Sequence, residues 1–296
     1  MLWRNDNAII VGKHQNTLAE INLDYVKEKE IKVVRRLSGG GAVYHDLGNL
    51  NFSFTRTGEN SEVVDFQRYT KPIIEVLQKL GVDAKFEGRN DITIDGKKFS
   101  GNAEHVFKNK VLHHGTILYS SEMKDVSGAL KISPLKYKDR AVKSIPKRVT
   151  NVKDHLKEEL SLEDFTEMIM EHIIATHEDC KRYEFTEEDL AAIQKIRDEK
   201  YATWDWNFGH SPNYNFRQGV RTEGGTLEMN LEVKKGMIKE AKIYGDFFGS
   251  KPIEEFEKML TNCKHDKDEI REKLEKVNID GYFHKITLED ILSAMF

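Results

Sequence analysis

Ser38-Gly39-Gly40-Gly41 follows the β-branched run Ile31-Lys32-Val33-Val34-Arg35-Arg36, and the three glycines strip every Cβ from a strand-end turn. Backbone N–H groups left bare in this way can approach an anion closely. Arg35 and Arg36 stand just before the turn and His45-Asp46 just after it, and arginine beside exposed amides suits a carboxylate or a phosphate. Strand residues alternate faces, so at most one of the two arginines points into a site and the other reads as a surface charge. The loop is no Walker A, having no Gly-Lys-Ser or Gly-Lys-Thr, and no GxGxxG opens a helix. The alternative reading of the glycines is a flexible turn or a hairpin bulge. A second polar group comprises Gly88-Arg89-Asn90-Asp91, Lys98-Phe99-Ser100-Gly101-Asn102-Ala103 and His113-His114-Gly115-Thr116. A lysine in an otherwise apolar strand, as Lys98 is, can neutralise charge at a phosphoryl or acyl centre; otherwise it marks the wet face of a half-exposed sheet. His113 and His114 are neighbours on a strand, point to opposite faces and cannot chelate one metal together.

These groups need strands to hold them, and the pattern supplies strands. Ala8 to Gly12, Ile31 to Arg36, Ala42 to Tyr44 and Leu50 to Phe54 read as strands. Thr17 and Glu20 form a capping-box pattern that opens a helix through Asn22 to Glu30. A helix over about 61–80 puts Phe66, Ile73, Ile74, Leu77 and Leu80 on one face and stops at Gly81. Asp95-Gly96 marks a hairpin between Ile92–Ile94 and Lys98–Ser100, and 111–118 pairs back after Lys108-Asn109-Lys110. Helical patterns follow at 121–130, 162–174 and 187–201. Breakers cluster at Gly209-His210-Ser211-Pro212-Asn213, a linker. Beyond it come strands at 214–221, 225–233 and 237–244, then helices near 253–262, 267–276 and 288–295. The expected fold is α/β (α+β): a mixed, largely antiparallel sheet flanked by helices in a catalytic domain over 1–210, with a small C-terminal α+β accessory domain over 214–296.

Two domains fit a chain of 296 residues, of which 39% are hydrophobic and 32% charged; collagen-like, disulfide-scaffold and disordered classes are excluded. No apolar run reaches the ~20 residues of a membrane span, and MLWRNDNAII is not a signal peptide. Cys180 and Cys263 form no CxxC, so neither a disulfide framework nor a cysteine zinc site is expected, and a reducing cytoplasm is the default compartment. The net charge of −4 argues against nucleic acid as the main partner. That charge is an average: residues 131–148 carry +6 and the rest of the chain −10. The basic run reads either as a solvated loop or as a mobile lid that closes over a reactive intermediate and steers an acidic acceptor.

Taken in order, RRLSGGGAVYHDLGNLNFSF, GRNDITIDGKKFSGNA, HHGTILY, SIPKRVTN, WDWNFG and GDFF resemble the lipoate–protein ligase family over essentially the whole chain. The resemblance implies an enzyme that activates lipoate with Mg-ATP to lipoyl-AMP and pyrophosphate, then transfers the lipoyl group to a specific lysine of an acceptor domain. It carries ATP binding onto Arg36, Gly41, Ala42, Val43, Tyr44 and Lys98, and lipoate binding onto Lys98 and Arg36, with Lys98 catalytic. The implied cofactors are ATP and Mg2+, the metal arriving with the nucleotide and its protein ligands unassigned. The implied partners are lipoyl domains of 2-oxoacid dehydrogenase complexes or the glycine cleavage H protein, with no nucleic acid and no membrane, and the enzyme is expected to be a monomer. Family members carry a further stretch before the first strand, including a helix that this chain is expected to lack. Asp91 and His114 are the candidate bases for the transfer step, each with a simpler hydrogen-bonding role open to it. Two other readings stay open: an ATP-independent lipoyl or octanoyl transferase, for which neither cysteine falls in a motif block, and a non-catalytic binding or regulatory member of the fold.

Overall fold

The computed structural model describes residues 1–57, 65–88, 90–122, 128–130, 137–138, 149–245, 247 and 249–296. The helical reading of 121–130, Arg89, Asp246 and Phe248 of GDFF, and the basic run at 131–148 apart from the backbone of 137–138 fall wholly or mostly outside these residues. The chain forms two compact units: residues 1–13, 29–129 and 144–195 make the first, and 14–28, 130–143 and 196–296 the second.

In the first unit the strands are β1 (Leu2–Trp3), β2 (Ala8–Val11), β3 (Lys32–Arg35), β4 (Val43–His45), β5 (Asn49–Thr57), β6 (Ala84–Glu87), β7 (Asp91–Ile94), β8 (Lys97–Phe107) and β9 (Lys110–Leu118). Six form an antiparallel sheet in the order β1-β5-β9-β8-β7-β6, and the other three a small sheet in the order β3-β2-β4. β2 runs parallel to β3 and antiparallel to β4, so the architecture is mixed and largely antiparallel, as the sequence reading expects. The β7–β8 turn has both Asp95 (φ 51°) and Gly96 (φ 69°) in the left-handed region, the geometry a two-residue hairpin needs.

Alternation on β5 sorts the two faces of the large sheet. Leu50, Phe52 and Phe54 join Ile92, Phe99 and Ile117 in a core with Ile73, Val76 and Leu77 of the Phe66–Lys79 helix and Phe165 and Ile169 of the Leu162–Thr176 helix. Asn49, Asn51 and Ser53, the intervening residues, turn to the other face. The Phe66–Lys79 helix closes on Gly81 (φ 77°), with Gly81 N–H donating to Gln78 O and Val82 N–H to Leu77 O, a Schellman stop.

The second unit holds β10 (Tyr137–Lys138), β11 (Tyr214–Thr222), β12 (Gly225–Lys234) and β13 (Met237–Gly245), antiparallel and in chain order. Helices Ile253–Leu260, Lys267–Leu274 and Leu288–Met295 pack over one face on a core that includes Phe216, Leu227, Met229, Val233, Phe256, Phe283 and Leu292. At the outer edge Glu257 accepts the Ile243 N–H and the Lys242 ammonium, both at 2.9 Å. His265, buried in this core, accepts the Tyr214 hydroxyl on Nδ1 (2.6 Å) and donates from Nε2 to Met295 O (2.7 Å). Thr17 and Glu20 do not form the expected capping box: the chain makes two short helices, Thr17–Glu20 and Leu23–Glu28, and the Thr17 hydroxyl donates to Asn207 O.

Candidate active site

The glycine loop is shaped from within by its own arginine. Arg36 donates from Nη2 to Gly39 O (2.6 Å) and Gly41 O (2.8 Å), from Nη1 to Ile10 O (2.9 Å) and from Nε to Ser38 Oγ (3.2 Å). Gly40 sits at φ 92°, a conformation that L side chains rarely adopt. Gly12 must also lack a side chain, since a Cβ there would lie 2.1 Å from Gly40 O. Burial lowers the Arg36 pKa to about 10, still far above neutrality, so a full positive charge stands behind the loop. Arg35 is no surface charge: it is 2% exposed, and its Nη1 donates to Gly12 O and Lys13 O. Both arginines therefore hold main chain, Arg36 that of the loop and of Ile10, Arg35 that of Gly12 and Lys13.

Ser38 links the loop to the large sheet. Its Oγ lies 2.5 Å from Nε2 of His114. Because Oγ also accepts from Arg36 Nε, its own proton is free to donate to His114, which places the imidazole proton on Nδ1. Burial, reinforced by Arg36, pushes the His114 pKa down to about 4, so the ring is uncharged at neutral pH. His45 behaves alike: burial first, then Arg36 and His114, lower it to about 3. Asn5 donates to His45 Nδ1 (3.0 Å), leaving the proton on Nε2. His45 Nε2 and Asn49 Oδ1 are buried with no partner among the described residues, hydrogen-bonding capacity that suits a polar ligand or an ordered water.

The two histidines diverge as strand alternation requires. His113 faces the core, stacked on Phe52 and Tyr69, between Glu104 Oε1 (2.9 Å) and Asn102 Oδ1 (3.3 Å). Two acceptors around one ring need two protons, one of them shared with Glu104; burial raises the Glu104 pKa and lowers that of His113 to about 3. Cross-strand pairs Ser53–His114, Asn51–Thr116 and Ala103–His114 put Asn51, Ser53, His114 and Thr116 on the face opposite the helices. Gly101 N–H donates to Thr116 Oγ1 (3.3 Å), which continues this polar face to β8. Lys98 and Asp91 complete it, with Lys98 Nζ 2.9 Å from Asp91 Oδ1.

Thus the expected site residues fall into two groups on one unit. Arg36, Gly41, Ala42, Val43 and Tyr44 form the loop and the strand leaving it, the Tyr44 hydroxyl being held by Asn7 Oδ1 (3.0 Å). Lys98, Asp91 and His114 share the polar sheet face. Asn49, Asn51 and Ser53 were not singled out as site residues in the sequence, although period-2 alternation along Leu50-Asn51-Phe52-Ser53-Phe54 carries the signal for two of them, Asn51 and Ser53.

Comparison with known proteins is consistent with this geometry. Residues 1–174 match the family model for the lipoyl protein ligase A/B catalytic domain, and residues 211–295 that for the bacterial lipoate protein ligase C-terminus. The chain is 43% identical over 298 residues to lipoate-protein ligase LplJ of Bacillus subtilis (strain 168), covering all of this chain and 90% of that one. Among solved structures it resembles the bi-partite lipoate protein ligase of Thermoplasma acidophilum, studied with its E2 lipoyl domain (TM-score 0.61, 30% identity, 71% of this chain and 83% of that one). It also resembles a lipoate-protein ligase A bound with ATP (TM-score 0.60, 29% identity, 71% of this chain and 85% of that one).

Proposed function

The chain belongs to the lipoate–protein ligase family, and from that premise we propose that it activates lipoate with ATP and transfers the lipoyl group to a specific lysine of acceptor lipoyl domains. The observation that carries the reading is the arginine-braced glycine loop, tied through Ser38 to a polar sheet face that also bears Lys98. Lipoate is ionised at neutral pH, so its carboxylate oxygen attacks the α-phosphorus without a general base, the bond to the bridging oxygen breaks, and pyrophosphate leaves. That step brings anions together and needs positive charge placed in advance: Lys98 at the reacting centre, and Arg36 behind Gly41, Ala42, Val43 and Tyr44. Lys98 serves both lipoate and ATP in this scheme, and Arg36 supports both through the loop.

In the second step the acceptor amine attacks the acyl carbon, AMP departs and the amine sheds a proton. Asp91, paired with Lys98, and His114, hydrogen-bonded to the Ser38 hydroxyl, are the two candidate acceptors for that proton. No group of three or more His, Cys, Asp or Glu among the described residues could hold a metal; Mg2+ would arrive on the triphosphate, where it screens phosphate charge, and no residue is assigned to it. The acceptors are lipoyl domains of 2-oxoacid dehydrogenase complexes or the glycine cleavage H protein, met by a monomer in the cytoplasm. Among the described residues no helix is long and apolar enough to cross a membrane.

ATP–pyrophosphate exchange, run with lipoate, octanoate and biotin in turn, tests the first half-reaction. Exchange with lipoate is expected, and its loss in Lys98→Ala. Exchange with biotin alone, or none with any acid, overturns the reading.

A further inference from the structure

We infer that Gly101 and Asp91 are positioning residues for Lys98: the missing side chain of Gly101 opens the path along which Lys98 runs, and the Asp91 carboxylate fixes where it ends. The inference rests on the proposed role of Lys98 and goes one layer behind it.

On β7, Asp91 pairs with Gly101 and Thr93 with Lys98, and the register shifts between Ile92 and Thr93. Two residues of β7 therefore face three of β8, so Phe99 is the extra residue of a β-bulge. In a regular strand, positions three apart such as 98 and 101 lie on opposite faces. The bulge brings them to the same face, because each is paired with one of two β7 residues that themselves share a face. Phe99 meanwhile stays buried in the core. Lys98 thus lies diagonal to Asp91, with the Gly101 backbone directly between.

Clearance gives a second, independent observation. A Cβ on Gly101 would lie 2.7 Å from Lys98 Nζ and 3.0 Å from Cε; the next atom, Thr116 Oγ1, is 4.0 Å away. Gly101 is not among the residues with positive φ, so its backbone does not require glycine. What a methyl group would meet is the end of the lysine side chain lying across it, which would have to move aside. The end of the path is as specific: Nζ stops 2.9 Å from Asp91 Oδ1, where the Asp91 side chain is 10% exposed and that of Lys98 27%. The Asp91 side chain is nearly enclosed while the Lys98 side chain keeps partial exposure, an arrangement that holds the charge in place at the border of solvent.

Two measurements decide the matter. Competitive acetylation of the folded protein, read by peptide mass spectrometry, reports the reactivity of Lys98 independently of activity. Gly101→Ala and Asp91→Asn should each change Lys98 labelling several-fold relative to other lysines, since one displaces the ammonium and the other removes its partner. ATP–pyrophosphate exchange with lipoate should fall tenfold or more in Gly101→Ala, mostly in kcat, with an unchanged thermal midpoint. Wild-type labelling of Lys98 together with wild-type exchange in Gly101→Ala overturns the inference. A Lys98→Ala variant that still exchanges overturns the catalytic reading of Lys98 instead, and the labelling then decides on its own whether Gly101 and Asp91 place the side chain.

Discussion

At the scale of single residues, charge in this site is held by main chain as much as by side chains. Arg36 spends four hydrogen bonds on Ile10, Ser38, Gly39 and Gly41, and no lysine reproduces that fork. Arg36→Lys keeps the charge but releases the loop. Hydrogen bonds to charged groups are worth about 1.5–3 kcal/mol each, so we expect roughly a 10- to 100-fold loss in kcat/KM for ATP, measured by pyrophosphate exchange; an unchanged value would show that the loop keeps its shape without the fork. Residue type and spacing singled out this loop, the family resemblance rather than spacing singled out Lys98, and alternation separated His113 from His114. The fate of Arg35 was not legible. Its partners are the carbonyls of Gly12 and Lys13, more than twenty positions away, and nothing local distinguishes an arginine that will be enclosed from one left in water.

At the scale of elements, legibility followed turn chemistry. Asp95-Gly96 fixed the hairpin that delivers β8, and the three long strands of the second unit fall within two residues of their expected limits because glycine turns punctuate them. The capping-box pattern at Thr17 and Glu20 misled for the opposite reason: the Thr17 hydroxyl is engaged by Asn207 O, so a tertiary partner replaced the local one. Gly96 at φ 69° should not tolerate a Cβ, and Gly96→Ala should cost about 1–2 kcal/mol, visible as a lowered thermal midpoint. Thr287 caps the Leu288–Met295 helix with a reciprocal Asp290 bond. Thr287→Ala should cost about 1 kcal/mol, read in urea unfolding, and should leave pyrophosphate exchange by the first unit unaltered.

At the scale of the whole molecule, enclosed histidines set the response to acid. Burial lowers His265 to about 4, as it does His114, and lowers His45 and His113 to about 3. Each is neutral in the folded chain, whereas in the unfolded chain it takes up a proton below about pH 6.5. The stability they contribute is therefore complete above that pH and is lost as pH falls towards their folded values. For His265 alone this is roughly 3 kcal/mol, at about 1.4 kcal/mol per pKa unit. Urea midpoints should drop steeply between pH 7 and pH 5, and His265→Gln should flatten that slope; equal midpoints at the two pH values would contradict the assignment. The Glu257 carboxylate has a consequence of another kind. By occupying the Ile243 N–H and drawing in Lys242, it covers part of the hydrogen-bonding rim of β13 that a foreign strand would otherwise join. One acidic side chain thereby helps keep copies of the chain from pairing edge to edge.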